Sequence, residues 1–88
     1  MELNELRTEI NAIDDEILRL FLKRMEVAGQ VADYKREHNL PIYQPRRERE
    51  ILESVSERAG ELGSYAHSLF STLMELSKQY QADRGGAP

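Results

Sequence analysis

The sequence predicts an all-α protein of three helices, one long, one short and one of medium length. Apolar residues recur at alternating steps of three and four, which is the spacing of a buried stripe on a helix. No proline precedes Pro41, whereas Pro41, Pro45, Gly60 and Gly63 mark the two points where one helix gives way to the next. Nowhere does the sequence alternate apolar and polar residues as a half-buried strand would.

The first helix is predicted to run from about Leu3 to His38. One apolar seam follows its length, and where the seam would continue after Leu20 the residue is Arg24. Lys35 lies eleven residues further on, close to three full turns, and therefore shares a face with Arg24. The seam consists of Leu3, Leu6, Ile10, Ile13, Ile17, Leu20, Val27, Val31 and Tyr34.

This helix is too long for the rest of the chain to cover. About 35 helical residues span roughly 50 Å, whereas a compact domain of this length has a radius of gyration of about 12 Å. A second copy of the chain can cover the remaining seam. We therefore expect an obligate homodimer in which the long helices pair.

The second helix is short. Asn39 can take the left-handed cap position after the first helix, and Pro41 prevents the first helix from continuing. Pro45 suits the first position of a new helix, which is expected to end at about Ala59. Its apolar stripe is Ile51, Leu52, Val55 and Ala59.

The third helix follows a turn over residues 60–63. Ser64 is a reasonable N-cap for it, and it is expected to run to about Asp83. Residues 1–83 are thus predicted to form one helical domain, and residues 84–88 a flexible tail or the start of a linker. The apolar stripe of the third helix is Ala66, Leu69, Phe70, Leu73, Leu76 and Tyr80.

Composition excludes several classes of function. The net charge of −4 argues against a nucleic-acid partner, which would require a basic surface. The absence of cysteine excludes disulfides and thiol chemistry, and the two histidines lack the spacing of a metal pair. The sequence shows neither a signal-peptide pattern nor an apolar stretch of membrane length, so we expect a cytoplasmic protein without a membrane partner.

Polar residues interrupt the apolar faces of all three helices, and such interruptions are typical of functional sites. Each alone has an ordinary structural interpretation, such as a seam arginine paired with a carboxylate. Together they suit a small compound with two carboxylates and a hydroxyl, since arginine binds carboxylates through two parallel hydrogen bonds. The residues are Arg24 and Lys35 on the first helix, Arg47 and Glu48 on the second, and Ser77 and Gln81 on the third.

The ordered set of motifs resembles the all-α chorismate mutase family over about residues 3–82. The resemblance implies a three-helix chain that forms an intertwined homodimer with two active sites. It implies the Claisen rearrangement of chorismate to prephenate, without a cofactor, in phenylalanine and tyrosine biosynthesis. The matching motifs are Leu6-Arg7-x-x-Ile10, Ile13-Asp14, Arg24-x10-Lys35, Pro41, Pro45, Arg47-Glu48 and Ser77-x3-Gln81.

The resemblance also implies roles for individual residues. Arg24 and the partner's Arg7 would bind the two carboxylates of chorismate, and Lys35 and Gln81 would hydrogen-bond the ether oxygen of the breaking bond. Arg7 and Lys35 are 28 residues apart, roughly 42 Å on a straight helix. One small molecule cannot contact both in one chain, but an antiparallel partner helix brings its own Arg7 beside Lys35.

Four further residues complete the implied site. Glu48 would accept a hydrogen bond from the ring hydroxyl, Ser77 would assist a carboxylate, and Arg47 would line or brace the site. Gln44 stands where the family commonly has an aspartate that contacts the ring hydroxyl and caps the second helix. Glutamine is a poorer N-cap than aspartate, so this position departs from the pattern.

Two alternatives follow from the same fold. One is an isochorismate-pyruvate lyase, which the Arg47-Glu48 pair disfavours. The other is a non-catalytic dimerisation or regulatory domain, which the intact set of polar residues disfavours. The tail at residues 84–88 is compatible with a free-standing enzyme and with fusion to another enzyme domain of the aromatic pathway.

Overall fold

The computed structural model describes residues 1–84 and confirms the three predicted helices. Helix α1 spans Leu3–Glu37, α2 spans Pro45–Arg58 and α3 spans Gly63–Asp83, with a 3-10 turn at Gly60–Leu62. Within this part of the chain, no helix combines the length and hydropathy needed to cross a membrane. All but the first residue of the predicted tail at 84–88 lies outside the described residues.

Helix α1 ends in a left-handed cap, as Asn39 predicted. Asn39 has a φ of 55°, and its N–H donates to the carbonyl oxygen of Arg36 at 3.3 Å. The N–H of Leu40 donates to the carbonyl oxygen of Lys35 at 2.7 Å, which completes a Schellman motif. This turn folds the loop over residues 38–44 back alongside the last turn of α1.

Helix α2 begins at Pro45 with Gln44 at the N-cap position, in agreement with the sequence. Among the described residues, however, the Gln44 side chain makes no capping hydrogen bond to the first turn. Its Nε2 donates instead to the carbonyl oxygen of Pro41 at 3.1 Å. The N-terminus of α2 therefore lacks the acceptor that an aspartate would supply.

Replacing Gln44 by aspartate is expected to stabilise the protein. A carboxylate at this position accepts from the first-turn N–H groups and should add up to about 1 kcal/mol to the free energy of unfolding. For a domain of this size that corresponds to a rise in Tm of about 4–8 °C, measurable by circular dichroism. Gln44→Ala is the control, because it removes the bond to Pro41 and adds no cap. An unchanged Tm in the aspartate variant would contradict this account of the α2 N-terminus.

The predicted start of the third helix was wrong. Helix α3 begins at Gly63 with Leu62 at the N-cap position, so Ser64 lies inside the first turn. The 3-10 turn leads directly into α3, which leaves no extended residue at position 64 to act as a cap. Gly63 is required by close packing, since a Cβ there would lie 2.6 Å from the backbone oxygen of Ser56 on α2.

Helices α2 and α3 form a hairpin, and α3 also packs against the C-terminal third of α1. Near Gly29 of α1 the side chains of Tyr80 and Arg84 approach closely. Arg84 also donates two hydrogen bonds to Asp33, at 3.0 and 3.2 Å, which joins the end of α3 to α1. The buried apolar residues are Ala28, Ala32, Ile42, Val55 and Met74.

The predicted stripe on α3 is only partly buried within one chain. Leu69 and Leu76 are exposed, whereas Met74, Ser77 and Gln81 are buried. The inward face of α3 thus becomes polar toward its C-terminal end. This polar stretch lies opposite the part of α1 that carries Arg24 and Lys35.

The N-terminal part of α1 extends away from the rest of the chain. Every residue from 1 to 20 is exposed, and Ile17, in the middle of the seam, has an exposed fraction of 57%. The single chain measures 54 Å along its longest axis and has a radius of gyration of 16.0 Å. A compact chain of this length would have a radius of gyration of about 12 Å. The apolar seam of α1 is therefore uncovered in one chain.

Candidate functional site

An open cavity of about 610 Å³ lies between the C-terminal third of α1, the loop over residues 38–44, the start of α2 and the end of α3. The chain folds around it because the Schellman turn reverses the backbone after α1 and the tight turn at Gly63 returns α3 along α2. Seven of the eight residues that the sequence singled out line this cavity. They are Arg24, Lys35, Gln44, Arg47, Glu48, Ser77 and Gln81.

Lys35 is held by the loop that follows it. Its Nζ donates to the carbonyl oxygen of Ile42 at 3.0 Å, and the side chain is half-buried. Burial lowers the pKa of Lys35, and the nearby charge of Glu48 opposes that shift. An ammonium group carries three N–H donors, so the bond to Ile42 leaves two of them for a ligand in the cavity.

Ser77 and Gln81 form a buried polar pair on α3, with exposed fractions of 9% and 6%. The Nε2 of Gln81 donates to the Oγ of Ser77 at 3.2 Å. The Oε1 of Gln81 is buried and has no hydrogen-bond partner among the described residues. Leaving a buried polar atom unpaired costs about 1–3 kcal/mol. A ligand that pairs with this amide would remove that cost.

Either end of the Gln81 amide can face the ligand. Rotating the amide by half a turn would let Oε1 accept from the Ser77 hydroxyl and would free Nε2 to donate. Gln81 can therefore supply a neutral hydrogen-bond donor to an oxygen atom in the cavity.

Glu48 is the acidic residue that lines the cavity, and it is ion-paired with Lys78. The Nζ of Lys78 lies 3.2 Å from Oε1 of Glu48 and 3.4 Å from Oε2 of Glu75. The same Nζ lies 4.6 Å from the ring centroid of Tyr43. Burial alone would lower the pKa of Lys78, but the hydrogen bonds and charges of Glu48 and Glu75 raise it above its ordinary value.

The sequence did not predict Lys78 as part of the site. It precedes Gln81 by three residues, so the two side chains are neighbours on the surface of α3. This spacing was the only available signal, since a lysine between polar residues near a helix end is usually solvated. Only the tertiary structure brings it to Glu48, which is 30 residues away in sequence.

The charged side chains make the cavity cationic. Arg24, Lys35, Arg47 and Lys78 contribute four positive charges and Glu48 one negative charge. Arg24 is half-buried, whereas Arg47 is exposed at the rim. A small dianion with one hydroxyl group fits this distribution of charge. The two arginines can bind carboxylates, and Lys35 and Gln81 can donate to a third oxygen.

Arg7 is the one predicted site residue that lies elsewhere in the chain. It is exposed on the second turn of α1, 28 residues before Lys35, or roughly 42 Å along the helix. One chain therefore does not bring Arg7 to its own cavity. Its predicted role depends on a partner chain.

Comparisons with known proteins identify the relatives of this chain. Residues 6–82 match the family described as chorismate mutase type II. A bifunctional chorismate mutase/prephenate dehydratase of Aquifex aeolicus is 52% identical over 61% of this chain and 15% of its own length. A chorismate mutase of Methanocaldococcus jannaschii is 31% identical over 91% of this chain and 84% of its own.

A solved structure, a conserved hypothetical protein from Pyrococcus furiosus, has the same fold. It is 40% identical, with a TM-score of 0.72, over 90% of this chain and 93% of its own. The chain spans less than a quarter of the length of the first curated relatives that it matches.

Proposed function

The chain belongs to the type II chorismate mutase family, and we propose that it rearranges chorismate to prephenate. The observation that carries this proposal is the convergence of four cationic side chains, one carboxylate and a buried amide on one cavity. Chorismate has two carboxylates, a ring hydroxyl and an ether oxygen. This set supplies a chemically matched partner for one carboxylate, the hydroxyl and the ether oxygen, and the second carboxylate is left to the partner's Arg7.

The carboxylates are the first part of the match. Arg24 would bind one carboxylate, with help from the Ser77 hydroxyl, and Arg47 would brace the site from the rim. The second carboxylate would be bound by the partner's Arg7. Together these contacts would hold chorismate in the compact conformer in which its reacting carbons are close, which converts binding into a large rate enhancement.

The ether oxygen is the second part. The rearrangement breaks the ether C–O bond while a C–C bond forms within the same molecule, and negative charge grows on the ether oxygen in the transition state. Beyond its bond to Ile42, the Lys35 ammonium has two further N–H donors. The Gln81 amide would turn Nε2 toward the ether oxygen when Oε1 accepts from the Ser77 hydroxyl instead. Donors that are in position once the substrate is bound stabilise the developing charge without further reorganisation, so these two residues are the proposed catalytic residues.

The ring hydroxyl is the third part. It would donate to the carboxylate of Glu48, and the neutral amide of Gln44 would lie at the same end of the cavity. The mechanism requires no proton transfer, no covalent intermediate and no cofactor. The proposed setting is the cytoplasmic synthesis of phenylalanine and tyrosine. The name of the Aquifex aeolicus relative, which pairs the mutase with prephenate dehydratase, supports fusion to a second aromatic-pathway enzyme.

A homodimer with crossed long helices is part of the proposal. The uncovered seam of α1 and the distance of Arg7 from the cavity both support it. The exposed apolar side chains of one α1 would pack against those of the other. An antiparallel arrangement would place each Arg7 near the Lys35 of the partner chain.

The dimer predicts a mass in solution of about twice 10.2 kDa at micromolar concentration. Sedimentation equilibrium measures this directly. Ile17→Glu, which introduces a charge into the exposed seam, should shift the equilibrium toward monomer. Glu9→Gln, a change at an exposed position outside the seam, is the matched control. A folded, active monomer at that concentration would contradict the proposal.

Formation of prephenate tests the proposed activity. The purified chain should consume chorismate, followed by its ultraviolet absorbance, and release prephenate without added metal or cofactor. Isochorismate is the comparison substrate, because the lyase of the same fold would release pyruvate from it. Activity on isochorismate alone would favour the lyase, and activity on neither substrate would favour a non-catalytic domain.

A further inference from the structure

Glu48 lies near two ammonium groups. Lys78 forms an ion pair with its Oε1 at 3.2 Å, and the Glu48 charge also acts on Lys35 across the cavity. The Glu48 and Lys78 side chains are both about three-quarters buried, which makes their interaction stronger than that of an exposed pair. The carboxylate that would receive the ring hydroxyl is thus already neutralised by its surroundings.

Lys78 itself is occupied by its neighbours. Two carboxylates, those of Glu48 and Glu75, lie within 3.4 Å of its Nζ, and the ring of Tyr43 lies beneath the same atom. An ammonium bound on these sides is poorly placed to bind a substrate carboxylate as well. Lys78 would therefore affect a ligand in two ways, by its ion pair with Glu48 and by its own positive charge.

We propose that Lys78 is a specificity-determining residue, which makes the cavity accept a ring hydroxyl and reject a ring ammonium at the same position. This inference rests on the proposed function, because it takes chorismate as the substrate and Glu48 as the partner of its hydroxyl. It goes further by assigning to Lys78 the choice between two substrates that differ in one polar group.

The physical reason is the balance of charge at this end of the cavity. A hydroxyl is neutral, so it can donate to Oε2 of Glu48 while Lys78 keeps Oε1. An amine at that position is protonated near neutral pH, and its charge would lie within about 5 Å of the Lys78 ammonium, where like charges repel appreciably. Glu48 is the one carboxylate among the described lining residues, and Gln44 adds only a neutral amide. Glu75, the second carboxylate on Lys78, lines an adjacent pocket and not this cavity. The two ammonium groups of Lys35 and Lys78 therefore outweigh the charge of Glu48 where the ring amine would lie.

The test compares two substrates, chorismate and its analogue with an amine in place of the ring hydroxyl. The purified chain and its variants are assayed at pH 7, and the ratio of the two kcat/KM values is the readout. The original chain is expected to favour chorismate by about 10²-fold or more, because two like charges about 5 Å apart near a protein surface repel by that order of magnitude. Lys78→Met keeps the length of the side chain and removes the charge, and should reduce this ratio by about tenfold through faster turnover of the amine.

Three further variants make the result specific. Lys78→Arg keeps the charge and should keep the preference for chorismate, whereas Lys78→Gln removes the charge and replaces the methionine variant if that variant fails to fold. Lys23→Met removes an exposed lysine of α1 and should leave the ratio unchanged. Circular dichroism and Tm establish that each variant is folded.

The ratio separates the proposal from a purely structural role. If Lys78 only supports the fold, both kcat/KM values should fall together and the ratio should not change, which would overturn the proposal. An unchanged ratio in the folded methionine or glutamine variant would overturn it equally. If the original chain does not convert chorismate at all, the proposed function fails first, and that result is visible before any variant is made.

Discussion

Lys35→Ala is expected to lower kcat for chorismate by at least about 10²-fold, as the loss of one positioned donor to a developing oxyanion does in other enzymes. Lys35 lies on the last turn of α1 and its Nζ bonds only one backbone carbonyl, that of Ile42, among the described residues. The fold should therefore survive the substitution. Steady-state kinetics and circular dichroism measure the two effects, and Lys23→Ala is the exposed control.

The pH dependence of the same reaction gives a second measurement. Lys35 must be protonated to place a positive charge beside the ether oxygen, and burial, opposed by the Glu48 charge, lowers its pKa from the ordinary value of 10.5. The kcat/KM, which reports the protonation state of the free enzyme, should accordingly fall as pH rises through a value below 10.5. Lys35→Arg remains protonated over this range, so its kcat/KM, although lower, should not show that fall. The same alkaline fall in the arginine variant would exclude Lys35 as its source.

Subunit complementation should restore activity to two inactive variants. Arg7→Ala is expected to be nearly inactive, because one carboxylate of chorismate loses its bidentate partner. In a heterodimer of Arg7→Ala with Lys35→Ala, one site carries both lesions and the other carries neither. A statistical mixture contains half heterodimers, so about a quarter of the original activity should return after refolding together.

A matched mixture distinguishes crossed sites from other causes of recovery. Lys35 and Gln81 line the cavity of the same chain. A heterodimer of Lys35→Ala with Gln81→Ala therefore has two sites with one lesion each, and should stay inactive. If the Arg7 and Lys35 variants exchange subunits, shown by a mass tag on one of them, and the mixture remains inactive, Arg7 does not act across the interface.

The features that the sequence predicted correctly are those that local rules govern. Helix bounds agree within about one residue at most ends because apolar periodicity, Asn39 and Pro45 act within a few residues of themselves. The family could also be recognised from the order of motifs along the chain, and the match over residues 6–82 confirms it. The interruption of the α1 seam at Arg24 could be predicted as well, because the seam is a periodic pattern within one helix.

The length of α1 also predicted a homodimer, which the structure of a single chain does not test. A helix this long exposes its seam unless a second copy covers it, and the seam is exposed. That agreement supports the homodimer, which remains a prediction until its mass is measured. The role of Arg7 depends on the same result.

Tertiary structure alone decided how the site is arranged. The start of α3 was misplaced at Ser64 because the true requirement is at Gly63, where the α2 backbone leaves no room for a side chain. Lys78 was missed because its partner Glu48 lies on another helix. The Oε1 of Gln81, which has no partner among the described residues, likewise becomes buried only once α3 is packed in place. Propensity and periodicity act between neighbours in sequence, whereas ion pairs, buried amides and close backbone contacts depend on which residues folding brings together.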